Sequence, residues 1–401
     1  MYRSTDRILT THAGSLIRPT KIIDAMRKAA VGLPHDDDTF RDNLTKAVAD
    51  VVRRQAEIGI DVPSDGEFGK RGWIQYVTER LNGIEYAPAQ RPTYAKVIYA
   101  DYKKFGGFYE RYKDLEESMW LPPSQAPLPP KPTKPHAWVN TGKVTYKGPA
   151  AIERDISNFK KALKNVSIVE PFMPCVAPSS VETIPAGDFY KTSEEYVFAV
   201  AEALSYEYRA IVDAGFILQI DDAILPMHYD PNGSMEDYFK WASIRVEATN
   251  HALKNIPRDK VRYHMCWGSQ NVPHTWDIPL KDIVKLLFTL KVGALSLEAA
   301  NPRHEHEWQV WETIKLPDEL VLIPGMISHS TNVVEHPELI AWRLGLFARV
   351  VGRERVIAGT DCGFSQNWNL LRTHEEVQWA KLEALVEGAR LASKKLWARA
   401  A

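Results

Sequence analysis

Eight short apolar runs, rich in β-branched residues, recur along the chain with longer amphipathic stretches between them, and this alternation limits the fold more than any other feature. The runs fall at 8–12, 60–65, 167–174, 216–221, 261–266, 293–298, 320–326 and 355–361. Between them, residues 39–58 place Phe40, Leu44, Val48, Val51 and Val52 at helical spacing before Gly59. Residues 193–214 open on the cap-like Thr192-Ser193-Glu194-Glu195 and stop before Gly215. Segments 235–254, 279–291, 336–350 and 373–397 also read as helices. Strands that alternate with helices form a parallel sheet, and eight is the number that closes a barrel. The expectation is an α/β protein, a (β/α)8 TIM barrel spanning 1–401 as one domain. An open doubly wound sheet is the alternative, but no GxGxxG follows the first strand.

One stretch breaks the rhythm. Within residues 85–150, nine prolines fall between Pro88 and Pro135 inclusive, together with Tyr94, Tyr99, Tyr102, Phe105, Phe108, Tyr109, Tyr112, Trp120 and Trp138. A disordered linker is poor in aromatics. The stretch therefore reads as an ordered insertion between the second and third strands, fit to cover the active site or to form a subunit contact.

A length of 401 residues suits a barrel with an insertion. The formal net charge is -1, which points to neither nucleic acid nor an anionic membrane surface. No run approaches the roughly 18 uncharged apolar residues of a membrane span, and the N-terminus has no secretory pattern. Three cysteines cannot build a disulfide framework. The expected location is the cytoplasm.

In such a barrel, reactive groups sit where strands end. The second run ends in Asp65-Gly66-Glu67, the fourth in Asp221-Asp222, the fifth in His264-Met265-Cys266 and the sixth in Glu298. The seventh leads to His329 and the eighth to Asp361-Cys362. His264 and Cys266 are two apart on one strand, so both face the same side. With Glu298 and Cys362 they make a Cys2HisGlu set that suits Zn2+. Each residue also has a plainer reading. His-x-Cys alone is a weak signal, satisfied by a core cysteine beside a hydrogen-bonded histidine. Glu298 would serve equally as half of a salt bridge, Cys362 as a small core residue, and Cys175 as a structural thiol.

The motifs THAGSLIRP (11–19), DVPSDGEFGKRGWIQYV (61–77), LQIDDA (218–223), YHMCWG (263–268), LSLEAAN (295–301), PGMISHS (324–330) and TDCGF (360–364) occur in this order. Together they resemble the catalytic barrel of cobalamin-independent methionine synthase and its short single-barrel homologues. That resemblance implies zinc bound by His264, Cys266, Glu298 and Cys362. It implies that Glu67 and Asp221 hold the amino group of homocysteine, that Ser15 lies near its carboxylate, and that His329 moves a proton to the departing group. The implied partners are small molecules: a thiol, and an alkyl donor of the folate type or a corrinoid-bound methyl. A homo-oligomer is compatible with all of this. The chain departs from the larger synthases in reading Asp221-Asp222-Ala223 where they read Asp-Glu-Pro, and in the run Trp267-Gly268-Ser269. Some single-barrel relatives open an epoxide with the thiol of coenzyme M. Arg18, Lys70 and Arg71 are the cations that such a sulfonate would look for. The third possibility is a non-catalytic zinc-binding barrel.

Overall fold

The computed structural model describes residues 1–30, 32–34, 36–88, 96–111, 136–368 and 371–398, with the backbone alone at 96–99 and 136. Seven strands form one parallel sheet in the order β1 (Leu9–Thr10), β9 (Ile357–Thr360), β8 (Val321–Ile327), β7 (Ala294–Leu297), β6 (Val261–Met265), β5 (Ile217–Asp222) and β4 (Phe172–Val176). Every residue of these strands is buried, as expected of a sheet with helices outside and a packed interior.

The eighth position is filled without a regular strand. Val62 bridges Thr11, and its N–H donates to Thr10 O at 3.0 Å. On the other side Val169 N–H donates to Asp61 O at 2.8 Å and Phe172 N–H to Pro63 O at 3.0 Å. Segment 60–65 thus joins β1 to β4 and closes the ring. It is not the ladder strand expected there, because Pro63 has no N–H to continue one. The expected strand at 167–174 is also displaced: pairing starts at Phe172, after Pro171, and runs on to Val176. The other expected strands lie within two residues of where the alternation puts them.

The helices wrap the ring. Helix Asp37–Ile58 starts two residues before the expected position because Asp36 caps it, accepting from Asp38 and Thr39 N–H, and it ends at Gly59 with φ 96°. Helix Ser193–Asp213 is capped by Thr192 as the sequence indicates. Helix Pro149–Leu163 carries proline in its first turn, where a missing N–H does no harm.

The insertion is built around an antiparallel hairpin, β2 (Leu81–Pro88) with β3 (His136–Tyr146). The hairpin spans residues 81 to 146, within a few residues of the stretch expected to form the insertion. Tyr190 OH accepts from Val144 N–H, and Tyr146 OH donates to Glu207, so the hairpin is seated on helix Ser193–Asp213 and the loop before it. Helix Lys96–Lys104 also belongs to the insertion. Pro92, Tyr94, Tyr112, Trp120 and the prolines from 122 to 135 lie outside the described residues.

Candidate metal centre and active site

The strand pleat decides which side chains enter the barrel. β5 and β6 pair with Gln219 opposite Arg262 and Asp221 opposite His264. These side chains point inward in two layers, and the upper layer faces the ends of the strands. His264 also sits opposite Ser296 on β7, whose hydroxyl lies 3.1 Å from Nδ1. That contact fixes the ring. Nε2 is buried and has no hydrogen-bond partner among the described residues.

The sulfurs of Cys266 and Cys362 and a His264 ring nitrogen all lie within 4.8 Å of one another. Cys266 follows β6, and Cys362 follows β9. Ser269 Oγ donates to Cys362 Sγ at 3.2 Å, and Gly268 N–H points to Cys266 Sγ at 3.3 Å. The hydrogen bond from Cys266 holds Cys362 well below the usual thiol range, against burial and with help from His264. The same bond, with burial, pushes Cys266 up. Burial alone would lower His264, but Cys362, Asp221 and Glu298 outweigh it and raise it. An unpartnered imidazole nitrogen facing two sulfurs fits a soft or borderline cation such as zinc.

Glu298 lies just past β7, but its oxygens are engaged elsewhere. Oε1 accepts from Trp267 N–H at 2.8 Å, and Oε2 from Asn301 Nδ2 at 2.7 Å. Burial, with Asp361 and Cys362 adding, pushes its carboxyl up to about 7. Asn301 also reaches Asp361, whose Oδ1 accepts from Ala299 and Ala300 N–H, so the loops after β7 and β9 are stitched together.

Beside the sulfurs opens a pocket lined by Ser15, Glu67, Asp221, His264, Cys266 and Cys362, with Trp73, Gln270, Gln366 and Arg372 further along its wall. Glu67 is held at φ 59°, which favours glycine, in the turn that Asp65 braces by accepting Glu67 N–H at 3.0 Å. Strain of this kind in a non-glycine residue is associated with functional sites. A Cβ on Gly14 would come within 2.8 Å of Glu67 Oε1, and one on Gly363 within 2.1 Å of Ser15 Oγ, so both sites need glycine. Lys70 Nζ stands 3.8 Å from Glu67 Oε2. Asp221 accepts from Gln219 at 2.6 Å, yet burial first, and then Glu67, push its carboxyl up to about 8. Glu67 and Asp221 thus share one pocket, with the ionised form of Asp221 disfavoured by burial.

His329 lies past β8, buried, and neither ring nitrogen has a hydrogen-bond partner among the described residues. Burial lowers it to about 4 and Cys362 opposes the shift, so the ring is neutral. Asp222 is spent on structure: Oδ1 accepts from Ile224 and Leu225 N–H and Oδ2 from Tyr263 OH, all at 2.9 Å. The cations singled out for a sulfonate are spent too. Arg18 donates to the carbonyls of Glu67, Lys70 and Ser365, Lys70 to Pro174 O, and Arg71 pairs with Glu79. Among the described residues, Arg372 is the cation that lines the pocket.

The pocket also uses residues that sequence reasoning passed over. Ser269 and Gln270 sit on a loop that leaves β6 at Cys266 and returns at Ile278, where Trp267 Nε1 donates to Ile278 O at 2.9 Å. Behind Trp267 its ring stacks on His304, centroids 4.1 Å apart, and His304 bridges Asp277 and Glu307 at 3.2 and 2.8 Å. Those two carboxylates raise His304 to about 10 in spite of its burial. The only signal for this loop in the sequence was its unusual start, Trp267-Gly268-Ser269.

The sequence matches a family model described as "Cobalamin-independent synthase, Catalytic domain" over residues 175–390. An uncharacterized Bacillus subtilis protein, YxjH, is 26% identical, with 94% of this chain and 92% of the relative covered. A methionine synthase of Sulfolobus acidocaldarius is 23% identical over 96% of this chain and 93% of its own length. A 2-hydroxypropyl-CoM lyase of Xanthobacter autotrophicus is 23% identical, over 90% and 88%. The solved structure of a B12-independent methionine synthase from Shewanella, in complex with selenomethionine, superposes with a TM-score of 0.71 at 19% identity, covering 98% of this chain and all of that one. At such identity the likeness speaks for the fold, and it is the barrel fold described above. The match to the family model takes in β5 to β9 and more than half of the chain, and on that ground the protein belongs to the cobalamin-independent synthase family.

Proposed function

We propose that this chain is a zinc-dependent thiol methyltransferase, which moves a methyl group from a methyltetrahydrofolate-type or corrinoid-bound donor to homocysteine or a similar amino-acid thiol. The observation that carries this reading is the convergence of three soft or borderline ligands and two carboxylates on one pocket. His264, Cys266 and Cys362 would hold the ion, with Glu298 as fourth ligand once it releases Trp267 N–H. Zinc bound there lowers the pKa of a thiol that joins it, so the thiol becomes a nucleophile at neutral pH.

The chain's own residues account for the rest. Glu67 and Asp221 receive the substrate ammonium, and its charge favours the ionised form of Asp221 that burial disfavours. Ser15 stands beside them for the carboxylate. His329 begins neutral and takes the proton that the thiol gives up. With the folate-type donor, the thiolate sulfur forms its bond to the methyl carbon as the bond from carbon to the leaving nitrogen breaks, and His329 returns the proton to that nitrogen.

The same pocket weighs against addition of coenzyme M to an epoxide. Its carboxylate pair suits an ammonium, and Arg18, Lys70 and Arg71 are committed to the framework, which leaves Arg372 in the pocket wall as the cation that a sulfonate would have to use. The test is zinc content per chain and methylation of homocysteine, measured on wild type and Cys362→Ser. We expect about one zinc in the wild type, and loss of metal together with a loss of turnover of at least ~10³-fold in the variant. Full activity in Cys362→Ser would sink the ligand assignment. Activity with coenzyme M but not homocysteine would overturn the choice of thiol.

A further inference from the structure

The insertion reaches the pocket through one buried carboxylate. Asp101, on helix Lys96–Lys104, is 1% exposed. Its Oδ1 accepts from Thr275 Oγ1 at 2.5 Å and its Oδ2 from Thr275 N–H at 3.3 Å. A carboxylate is costly to bury, and its hydrogen bonds are what offset that cost. Thr275 stands on the loop that carries Ser269 and Gln270 into the pocket. The loop is also tied near its base and along its inner side: Trp267 to Ile278 O, His274 to Gln270 O at 2.8 Å and to Asp277 at 3.1 Å, and Asp277 to His304 at 3.2 Å. His274 is held at φ 52° and Gly268 at φ 101°, so the loop is bent at two left-handed points. Its outer end is held by the insertion, at Thr275 through Asp101 and at Trp276, whose ring lies 5.4 Å from Lys104 Nζ. The same insertion helix packs beside the short helix Ile224–Met227, whose Ile224 and Met227 line the pocket, and a Cβ on Gly268 of the loop would meet Met227 Sδ at 3.1 Å.

We propose that Asp101 is a positioning residue: by clamping Thr275 it fixes the loop from Gly268 to Asp277, and so sets Ser269 against the Cys362 sulfur and Gln270 in the wall where substrate lies. The insertion is then part of the active site rather than an ornament of the fold. That the pocket binds an amino-acid thiol rests on the function proposed above; that the clamp orders the loop does not.

The experiment compares full-length, zinc-loaded wild type with Asp101→Ala by amide hydrogen exchange and by calorimetric titration with homocysteine. Exchange across 268–277 is expected to quicken by about tenfold, with β5 and β6 unchanged. The homocysteine dissociation constant is expected to rise several-fold at unchanged zinc content, and to return toward wild type in Asp101→Asn, which keeps one acceptor for Thr275. Unchanged exchange at 268–277 overturns the proposal, and so does an increase spread equally through the barrel strands. Should Asp101→Ala fail to fold, Thr275→Val removes the hydroxyl partner and carries the same comparison. If homocysteine does not bind wild type, the thiol reading fails while the exchange data still decide the clamp.

Discussion

Gln219 and Arg262 lie one pleat below Asp221 and His264 on the same two strands, and the two layers use their polar atoms in opposite ways. In the lower layer each group finds a partner. Arg262 donates to Gln219 Oε1 at 2.7 Å, to Thr11 Oγ1 at 2.9 Å and to His12 O at 2.7 Å, and its guanidinium lies 3.4 Å from the centre of the Phe172 ring. Gln219 Nε2 donates to Ala13 O and to Asp221. His12 accepts from Gly14 N–H at Nδ1 and donates from Nε2 to Gln55 at 2.8 Å. In the upper layer, Nε2 of His264 and both nitrogens of His329 have none among the described residues. A buried polar atom without a partner costs about 1–3 kcal/mol. The lower layer is a finished polar core, whereas the upper one is completed only by what binds there. Buried histidines of one chain therefore divide by satisfaction rather than by burial, and the unsatisfied ones are those proposed to carry the chemistry.

The comparison breaks first at His329. His329→Asn is expected to retain zinc and to unfold within about 1 kcal/mol of wild type, while turnover falls about 10³-fold, since a proton carrier is lost and little of the framework. Zinc by elemental analysis, urea unfolding and the methylation rate check the three parts. A variant that turns over normally would remove His329 from the chemistry and leave its unpartnered nitrogens without an account.

Arg262 should show the reverse. Arg262→Met removes the donor on which Gln219, Thr11 and His12 O converge, and about 3 kcal/mol of stability should go with it. Zinc content of the folded variant should be unchanged. Loss of zinc at full stability, read by the same two measurements, would mean that the layers are not separable.

The sequence showed the upper layer better than the lower. His264 and Cys266 could be placed on one face because the strand period is two, and Cys362 and His329 because reactive groups gather where strands end. The ring of strands was legible for the same reason, except at 60–65 and 167–174, where prolines interrupt the ladder. The partners in the lower layer were not legible. Gln55 comes to His12 from helix Asp37–Ile58, 43 residues away, and the contact depends on how that helix packs. Glu298 illustrates a different limit: its position past β7 was clear, but its bond to Trp267 N–H depends on the course of a loop that no periodicity specifies. The Asp101 contact is 174 residues apart in sequence and lies in the insertion, where no pattern helped.

The smallest expected effect concerns pH. Burial, and then the Arg262 charge, lower His12 to about 3 in the folded protein, although Gln55 opposes the shift. A second ring proton would also meet Gly14 N–H head-on, since Nδ1 is already accepting from it. The unfolded chain has no such constraint and takes up a proton near 6.5. The folded pKa is depressed for a group that is charged when protonated, so unfolding binds a proton below pH 6.5. The stabilising contribution is full above that value and is lost as pH falls from 6.5 toward 3. Between pH 7 and pH 5 the loss is about 2 kcal/mol. Asp221 and Asp361 work in the opposite sense, because burial raises them to about 8 and about 6 and the folded state then holds their protons. The wild-type curve mixes these terms, and a difference between proteins isolates one. The stability advantage of wild type over His12→Gln, from urea unfolding at both pH values, should shrink by about 2 kcal/mol at pH 5. An advantage that stays constant would mean that His12 can be protonated inside the fold, and that the lower layer is less closed to charge than its hydrogen bonds imply.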